Sequence, residues 1–235
     1  IELPTAERAG LVFTVLTPGA PLDIDAFLGE FQQVLEYLEL DNVHPYKNTT
    51  TLASGNWKST ADGYLDGYHI GYLHSKNLGL KQINNRNTWD LLGPHVRLGF
   101  ANKTLPAIKE QPESEWNLPD VMSVVHYVFP NVSISGQPGR TTMVSIILPG
   151  ATVDTSQVLQ TQYSRVPIDT PEIEAELEDR RVAYAAITGD EDFGTVIGIN
   201  RALRALDGTD FIFGRNESGN QNLHRWVSRY LSGEV

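Results

Sequence analysis

Between residues 121 and 163 the chain lays down four β-rich runs in succession, and nothing else in it limits the fold as much. The runs are Val121-Met122-Ser123-Val124-Val125-His126-Tyr127-Val128-Phe129, Val132-Ser133-Ile134, Thr142-Met143-Val144-Ser145-Ile146-Ile147-Leu148 and Val158-Leu159-Gln160-Thr161-Gln162-Tyr163. Only Pro-Asn, Gly-Gln-Pro-Gly and Pro-Gly turns separate them. Contiguous strands joined by tight turns pair antiparallel, so residues 96–166 read as a meander. Helical spacing flanks this block. Ile24, Phe27, Leu28, Phe31, Val34, Leu35 and Leu38 recur at three and four residues, with Asp23 or Asp25 near the N-cap. A second helical candidate runs over 52–73, interrupted by Gly55, Gly63, Gly67 and Gly71. Each glycine inside a helix costs about 1 kcal/mol against alanine, so such a helix needs packing or ligands to hold it. Residues 172–186, 193–206 and 224–231 read as further helices, and 11–16 as a strand closed by Thr17-Pro18-Gly19. Helix, contiguous strands, then helices predicts an α+β fold: a curved antiparallel sheet with helices packed over one face and a cavity between helix and sheet.

Composition narrows the function. At 235 residues the chain is one large domain or two small ones. Lys+Arg 18 against Asp+Glu 29 gives a net charge of -11, which argues against nonspecific nucleic-acid binding and against anionic membranes. No apolar run approaches the roughly 20 residues of a membrane span. The cysteine count is 0, so disulfides, thiolate metal sites and cysteine nucleophiles are excluded within this chain. Any metal must use His, Asp or Glu. The start, Ile1-Glu2-Leu3-Pro4, lacks an initiator methionine and a signal-like pattern, and suggests a piece of something longer.

Chemistry concentrates in Asn56-Trp57-Lys58 and Asp66-Gly67-Tyr68-His69-Ile70-Gly71-Tyr72-Leu73-His74. On an ideal helix, side chains five residues apart point about 140° away from each other. His69 and His74 share a site only if the helix tightens, bulges or ends between them, which Gly71 permits. Otherwise one is a packed histidine and the other a surface one. Asp66, three residues before His69 and so on the same face of a helix, is placed to accept a ring N–H and fix the tautomer. Asp190-Glu191-Asp192, at the expected opening of a helix, offers a carboxylate, or is simply favourable charge at a helix N-terminus. Two histidines and one carboxylate make a facial set that leaves positions open on Fe(II) for O2 and substrate.

At these residues the sequence resembles the catalytic domain of Rieske non-haem iron ring-hydroxylating oxygenases, alpha (large) subunit. Asn56-Trp57-Lys58, then Asp66-Gly67-Tyr68-His69 and His74, look like that family's N-W-K and D-x-Y-H-x4-H. Phe129-Pro130-Asn131 and residues 10–16 add weaker matches. The resemblance implies a helix-grip, START-like fold, with His69 and His74 as iron ligands. It makes Asp66 the bridge that carries electrons from a neighbouring subunit's Rieske [2Fe-2S] cluster. It implies an Asp as third ligand, for which Asp192 is the choice and Asp190 the second. Residues 1–20 would be the end of an absent Rieske domain or a linking strand, and 21–235 the mononuclear-iron domain. Implied partners are an aromatic or similar apolar substrate, O2, and a ferredoxin or reductase as donor. A homotrimer or an alpha3beta3 assembly in the cytoplasm follows from the same resemblance. Three departures stand out. The chain holds no cluster-binding C-x-H or C-x2-H, Asp62-Gly63 replaces the usual Glu-Asn and is expected to loosen the helix, and Asn200 stands where Gln often follows the third ligand.

Mono- or dihydroxylation and oxidative demethylation are the implied outcomes. Ile70, Leu73 and the inward side of the strands are candidates for the substrate pocket, though each also reads as plain core. A metal-free module binding an apolar ligand in the same cavity is the alternative. A zinc hydrolase fits less well, because no H-E-x-x-H supplies a general base. His126 reads as a satisfied sheet residue, His44 and His95 as loop residues, and His224 as a packing or subunit contact. Trp57, Trp89, Trp116 and Trp226 read as core or interface anchors, Arg180-Arg181 as a solvated helix face, and Thr188-Gly189-Asp190 as a turn.

Overall fold

The computed structural model describes residues 1–136, 141–206 and 210–234. A hairpin of β1 (Thr5–Arg8) and β2 (Leu11–Thr14) leads to two short helices, α1 (Ile24–Leu28) and α2 (Phe31–Tyr37). Strand β3 (His44–Ser54), helix α3 (Trp57–Leu65) and the four-residue α4 (Leu78–Lys81) follow. Then come β4 (Gln82–Leu92), β5 (His95–Asn102), α5 (Leu118–Val121), β6 (Met122–Val128), β7 (Val132–Gly136), β8 (Thr141–Pro149) and β9 (Ser156–Ser164). The chain closes with α6 (Pro171–Ala186), α7 (Gly194–Ala205) and α8 (Ser218–Ser232). Seven strands form one open antiparallel sheet in the order β3-β9-β8-β7-β6-β5-β4. Its two edge pairs break register, between Tyr46 and Thr50 and between Gln82 and Asn87, as bulges do where a sheet curves.

The α+β architecture expected from the meander is the one observed. Ala61 and Leu65 of α3, Phe193, and Leu223 of α8 form one core with Val96, Leu98, Tyr127, Ile147 and Val158 of the strands. The opposite face is covered as well. Leu28, Phe31 and Leu35 pack there on Val128, Ile134 and Val144, with Phe13 of the hairpin against them. The sheet is therefore packed on both of its faces.

Several element bounds differ from expectation, each for a physical reason. The helix expected over 23–38 is split at Gly29, whose φ of 49° only glycine adopts without strain. The helix expected over 52–73 is three things: the end of β3, the nine residues of α3, and an irregular stretch containing one tight turn at His69–Gly71. Strands β3 and β4 were hidden because HPYKNTTTLAS and QINNRNTWDLL are polar and lack clean alternation. Pairing with β9 and β5 holds them extended regardless of propensity. His95, expected in a loop, begins β5 and is fully buried, and His44 begins β3. His126 is a buried sheet residue as expected. Gln137, Pro138 and Gly139 of one expected turn lie outside the described residues. No helix among the described residues is long and apolar enough to cross a membrane.

Candidate metal center

Asn56 starts the element that leads to the histidines. Its side-chain oxygen accepts the N–H of Lys58 at 2.9 Å, an N-cap, and its amide donates to the carbonyl of Val153. Trp57 then packs on the core from the first helical position. Helix α3 stops before the motif: Asp66 is already extended, at φ -89° and ψ 124°. The expectation that Asp66 and His69 share a helix face is therefore corrected, but the contact forms another way. Asp66 accepts the backbone N–H groups of Tyr68 (2.7 Å) and His69 (3.2 Å), and its Oδ2 lies 3.2 Å from His69 Nδ1. The ensuing turn is so close to β4 that a Cβ at Gly71 would meet Asn84 at 2.5 Å. Because the helix has ended, the 140° divergence of a regular helix does not arise. His69 Nε2 and His74 Nε2 sit 3.1 Å apart.

The carboxylate comes from the far end of the chain. α6 and α7 form one continuous rod, joined by π-helical turns over Ile187–Phe193. Asp190-Glu191-Asp192 thus lies inside a helix rather than at its opening, and Thr188-Gly189-Asp190 is helical rather than a turn. Such wide turns occur disproportionately at functional sites. Here two consecutive acids reach one ring: Glu191 Oε2 is 2.5 Å from His74 Nδ1, and Asp192 Oδ1 is 3.0 Å from His74 Nε2. Asp192 Oδ1 also lies 3.4 Å from His69 Nε2. His69, His74 and Asp192 are the one group among the described residues whose ligand atoms gather, within 4.8 Å of one another. Asp190 is exposed and outside it.

The donor set fits a divalent cation. The Nδ1 atoms face the carboxylates of Asp66 and Glu191, which assigns the proton of each neutral ring to Nδ1. Both Nε2 atoms then present lone pairs to each other and to a carboxylate oxygen. Three lone pairs about 3 Å apart repel unless a positive charge lies between them. Three such atoms on one face of an octahedron, with bonds of roughly 2.1 Å, would be about 3.0 Å apart. Burial opposes charge on His74, yet Asp192 and Glu191 outweigh it and raise its pKa above the usual imidazole value. Burial also works against the Asp66 carboxylate, while the His69 ring and two backbone N–H groups outweigh it and lower its pKa. Glu191, which also accepts from Asn77 at 3.0 Å, was visible in the sequence only as part of an acidic cluster.

A cavity of about 670 Å³ opens beside these groups, between α3, α6 and the sheet. Ile70 lines it, together with Phe100, Val125, Met143 and Tyr184. Leu73 is half-buried and lies off its wall, because the tight turn ends at Gly71 and the wall continues through His74 and Leu78. Asp62, expected to loosen α3, instead ties it to α8 by accepting from His224 Nε2 at 3.0 Å and from Asn220. Asn200 is buried, donates to the Val196 carbonyl and packs on the Gly55 turn, so it supports α3's approach rather than the acids. Arg181, expected to be solvated, pairs with Glu178 and reaches Thr50. Trp57, Trp89 and Trp226 pack on the core, and Trp116 is partly exposed.

Residues 40–233 match the family model described as ring hydroxylating alpha subunit (catalytic domain). No curated protein matches the sequence significantly. Among solved structures, the quaternary ammonium Rieske monooxygenase CntA with an inhibitor bound superposes with a TM-score of 0.75 at 17% identity, over 97% of this chain and 61% of that one. Dicamba monooxygenase bound to 3,6-dichlorosalicylic acid gives a TM-score of 0.60 at 15% identity, over 99% of this chain and 70% of that one. At these identities the likeness carries the fold. The chain spans about three fifths of the length of the first of these structures.

Proposed function

The chain belongs to the ring-hydroxylating alpha-subunit family by its catalytic domain, and on that premise we propose that it activates O2 at a mononuclear non-haem Fe(II) center to hydroxylate or oxidatively demethylate an organic substrate. The family is one of oxidoreductases. The observation that carries the reading is the convergence of two imidazole Nε2 atoms and one carboxylate oxygen on a single point at the cavity wall. His69, His74 and Asp192 would hold the iron. Fe(II) so bound supplies the redox chemistry and open positions for O2 and substrate.

The remaining roles belong to this chain's own side chains. Asp66 and Glu191 accept the Nδ1 protons, which keeps both rings aimed and both Nε2 lone pairs free. As ligands the two imidazoles would be neutral and Asp192 anionic, so the donor set would reduce a divalent charge to about +1. Asp66 touches His69 and keeps 22% of its side chain exposed, which suits it to pass electrons from outside. In this reading the electrons come from a Rieske [2Fe-2S] cluster held outside residues 1–235 and fed by a ferredoxin or reductase. A homotrimer or alpha3beta3 assembly in the cytoplasm would bring a neighbor's cluster to Asp66. Residues 1–20 would connect to that cluster's domain and 21–235 would form the iron domain.

The test is metal analysis of the intact protein, purified anaerobically, with and without His69→Ala. The substitution is expected to remove mononuclear iron and all turnover while the thermal transition stays cooperative. Turnover that survives it would falsify the assignment. A folded wild-type protein with no metal would favor the ligand-binding alternative, and zinc in place of iron would favor hydrolysis.

A further inference from the structure

The carboxylates that aim the two histidine rings are themselves held in different ways. Asp66 is fixed locally: it accepts the N–H groups of Tyr68 and His69, so its approach to the His69 ring needs nothing beyond residues 66–69. Glu191 lies in the π-helical turns of the α6–α7 rod, 117 positions from His74. One of its oxygens takes His74 Nδ1, and the other, Oε1, accepts from the Asn77 amide at 3.0 Å. Asn77 is in turn anchored to the histidine turn. Its backbone N–H donates to the His74 carbonyl at 3.0 Å, and its side-chain oxygen accepts the Leu78 N–H at 2.6 Å, where α4 begins. The N–H of Gly79 meets the same His74 carbonyl at 2.9 Å, and a Cβ there would lie 3.0 Å from it. The hydrogen bonds close a circuit from the His74 carbonyl to Asn77, to Glu191 and back to the His74 ring. Apart from the approaches of Asp192 to the two rings, this circuit is the only hydrogen-bonded link among the described residues between the π-helical turns and residues 66–81.

We propose that Asn77 is a positioning residue for the metal center: it latches Glu191 to the histidine turn and so holds His74 and Asp192 in register before a metal binds. The proposal rests on the iron reading for what the ligand atoms hold, while the latch itself belongs to this chain's own side chains. The task calls for a side chain that accepts a backbone N–H with one atom and donates to a carboxylate with another. A carboxamide does both, and its two partners fix which atom is oxygen and which is nitrogen. Glu191 and Asp192 are consecutive, so a latch on the first also holds the second, and the two acids take His74 by opposite ring nitrogens. A site assembled in advance loses less conformational freedom when its ligand arrives, which is how a residue that never touches the metal changes affinity for it. The His69 side needs no such latch, because Asp66 is already fixed by its own turn.

Asn77→Asp is the probe. Its carboxylate still caps α4, but a second anion replaces the donor that faced Glu191. Glu191→Gln reverses the polarity: the new side-chain oxygen still accepts from His74 Nδ1, and the new amide faces position 77. Wild type, the two single variants and the double variant are compared as intact protein at pH 8, where the two facing carboxyls do not share a proton. Ferrous iron affinity is measured by competition with a chelator, and the melting temperature is measured on metal-free protein. Asn77→Asp is expected to weaken iron about tenfold and to lower the melting temperature by about 2–4 °C. Introduced into Glu191→Gln, the same substitution should cost neither, because donor and acceptor have exchanged places. An equal loss in both backgrounds would make Asn77 an ordinary helix cap and overturn the proposal, and so would no loss in either. Failure of the iron reading looks different: wild type binds no iron, while the melting temperatures of the metal-free proteins still show the coupling between positions 77 and 191.

Discussion

Two of the histidine sites in this molecule differ in a way that separates chemistry from architecture. His95 has no exposed surface. Its Nε2 donates to the carbonyl of Phe27 at 2.9 Å, and its Nδ1 accepts the N–H of Phe129 at 3.2 Å. Both nitrogens are occupied by backbone, and the ring stacks on Phe31 with centroids 4.9 Å apart. Burial pushes its pKa down to about 4. His69 and His74 each turn Nδ1 to a carboxylate, and neither Nε2 is taken by backbone: the two face each other and Asp192. A histidine whose second nitrogen is free of backbone and aimed at other ligand atoms is the mark of a ligand; burial alone is not.

The sharpest way to break this contrast is to remove the acid that joins the free nitrogens. Asp192→Ala should lose mononuclear iron and cut turnover by more than a hundredfold, because two neutral imidazoles alone hold ferrous iron weakly. Asp190→Ala should change neither, since Asp190 is exposed and away from the gathered atoms. Equal losses, measured by iron content per chain, would dissolve the distinction between the two acids.

The architectural histidine should show itself in acid. His95 is neutral when folded, and its folded pKa of about 4 lies below the unfolded value near 6.5. The unfolded chain therefore binds the extra proton between those values. The stability this group contributes is complete above about pH 6.5 and is lost as pH falls toward 4, by about 3 kcal/mol at most. His126, lowered to about 4 by burial first and Arg97 second, acts in the same direction. Urea midpoints at pH 7 and 4.5 should fall steeply in wild type and less steeply in His95→Gln. An unchanged slope would contradict the buried neutral ring.

The sequence revealed the meander because strands β6 to β9 are rich in β-branched residues and punctuated by turn residues, which are local signals. It revealed the two histidines and Asp66 because they sit within nine residues. It did not reveal that α3 ends at Leu65, since the pairing of Gly67 and Gly71 with Asn87 and Asn84 of β4 is a tertiary contact. Glu191 stayed hidden for the same reason. Its task is set by a ring 117 positions away, and a wide helical turn that no periodicity announces brings it there. The substrate wall was the least legible, because it is assembled from strands far apart in sequence whose inward residues look like ordinary core.

Glu191 offers a finer test. Glu191→Gln keeps the size of the side chain but weakens acceptance of the His74 Nδ1 proton, so His74 should remain a ligand held less firmly. Such partners of metal-bound histidines usually matter by 10–100-fold in affinity or activity, about 1.4–2.7 kcal/mol. Iron affinity, measured by competition with a chelator, should weaken within that range. The same substitution should leave the acid transition of His95 unaltered, which keeps the two sites independent.

The smallest effect expected comes from a third histidine that resembles the first two only in having a carboxylate beside it. His224 Nε2 lies 3.0 Å and 3.1 Å from the two oxygens of Asp62, and Asn220 binds Asp62 as well. The pair fastens α8 to α3 four residues before Asp66, yet no further ligand atom gathers there among the described residues. Asp62→Ala should therefore cost about 1 kcal/mol of stability, the usual net worth of such hydrogen bonds in a half-buried place. A thermal melt lowered by a few degrees with iron content unchanged would place the pair with His95, on the architectural side. Loss of iron at full stability would mean that a carboxylate one helical turn from the center is enough to hold it in place, and that the free-nitrogen criterion is too narrow.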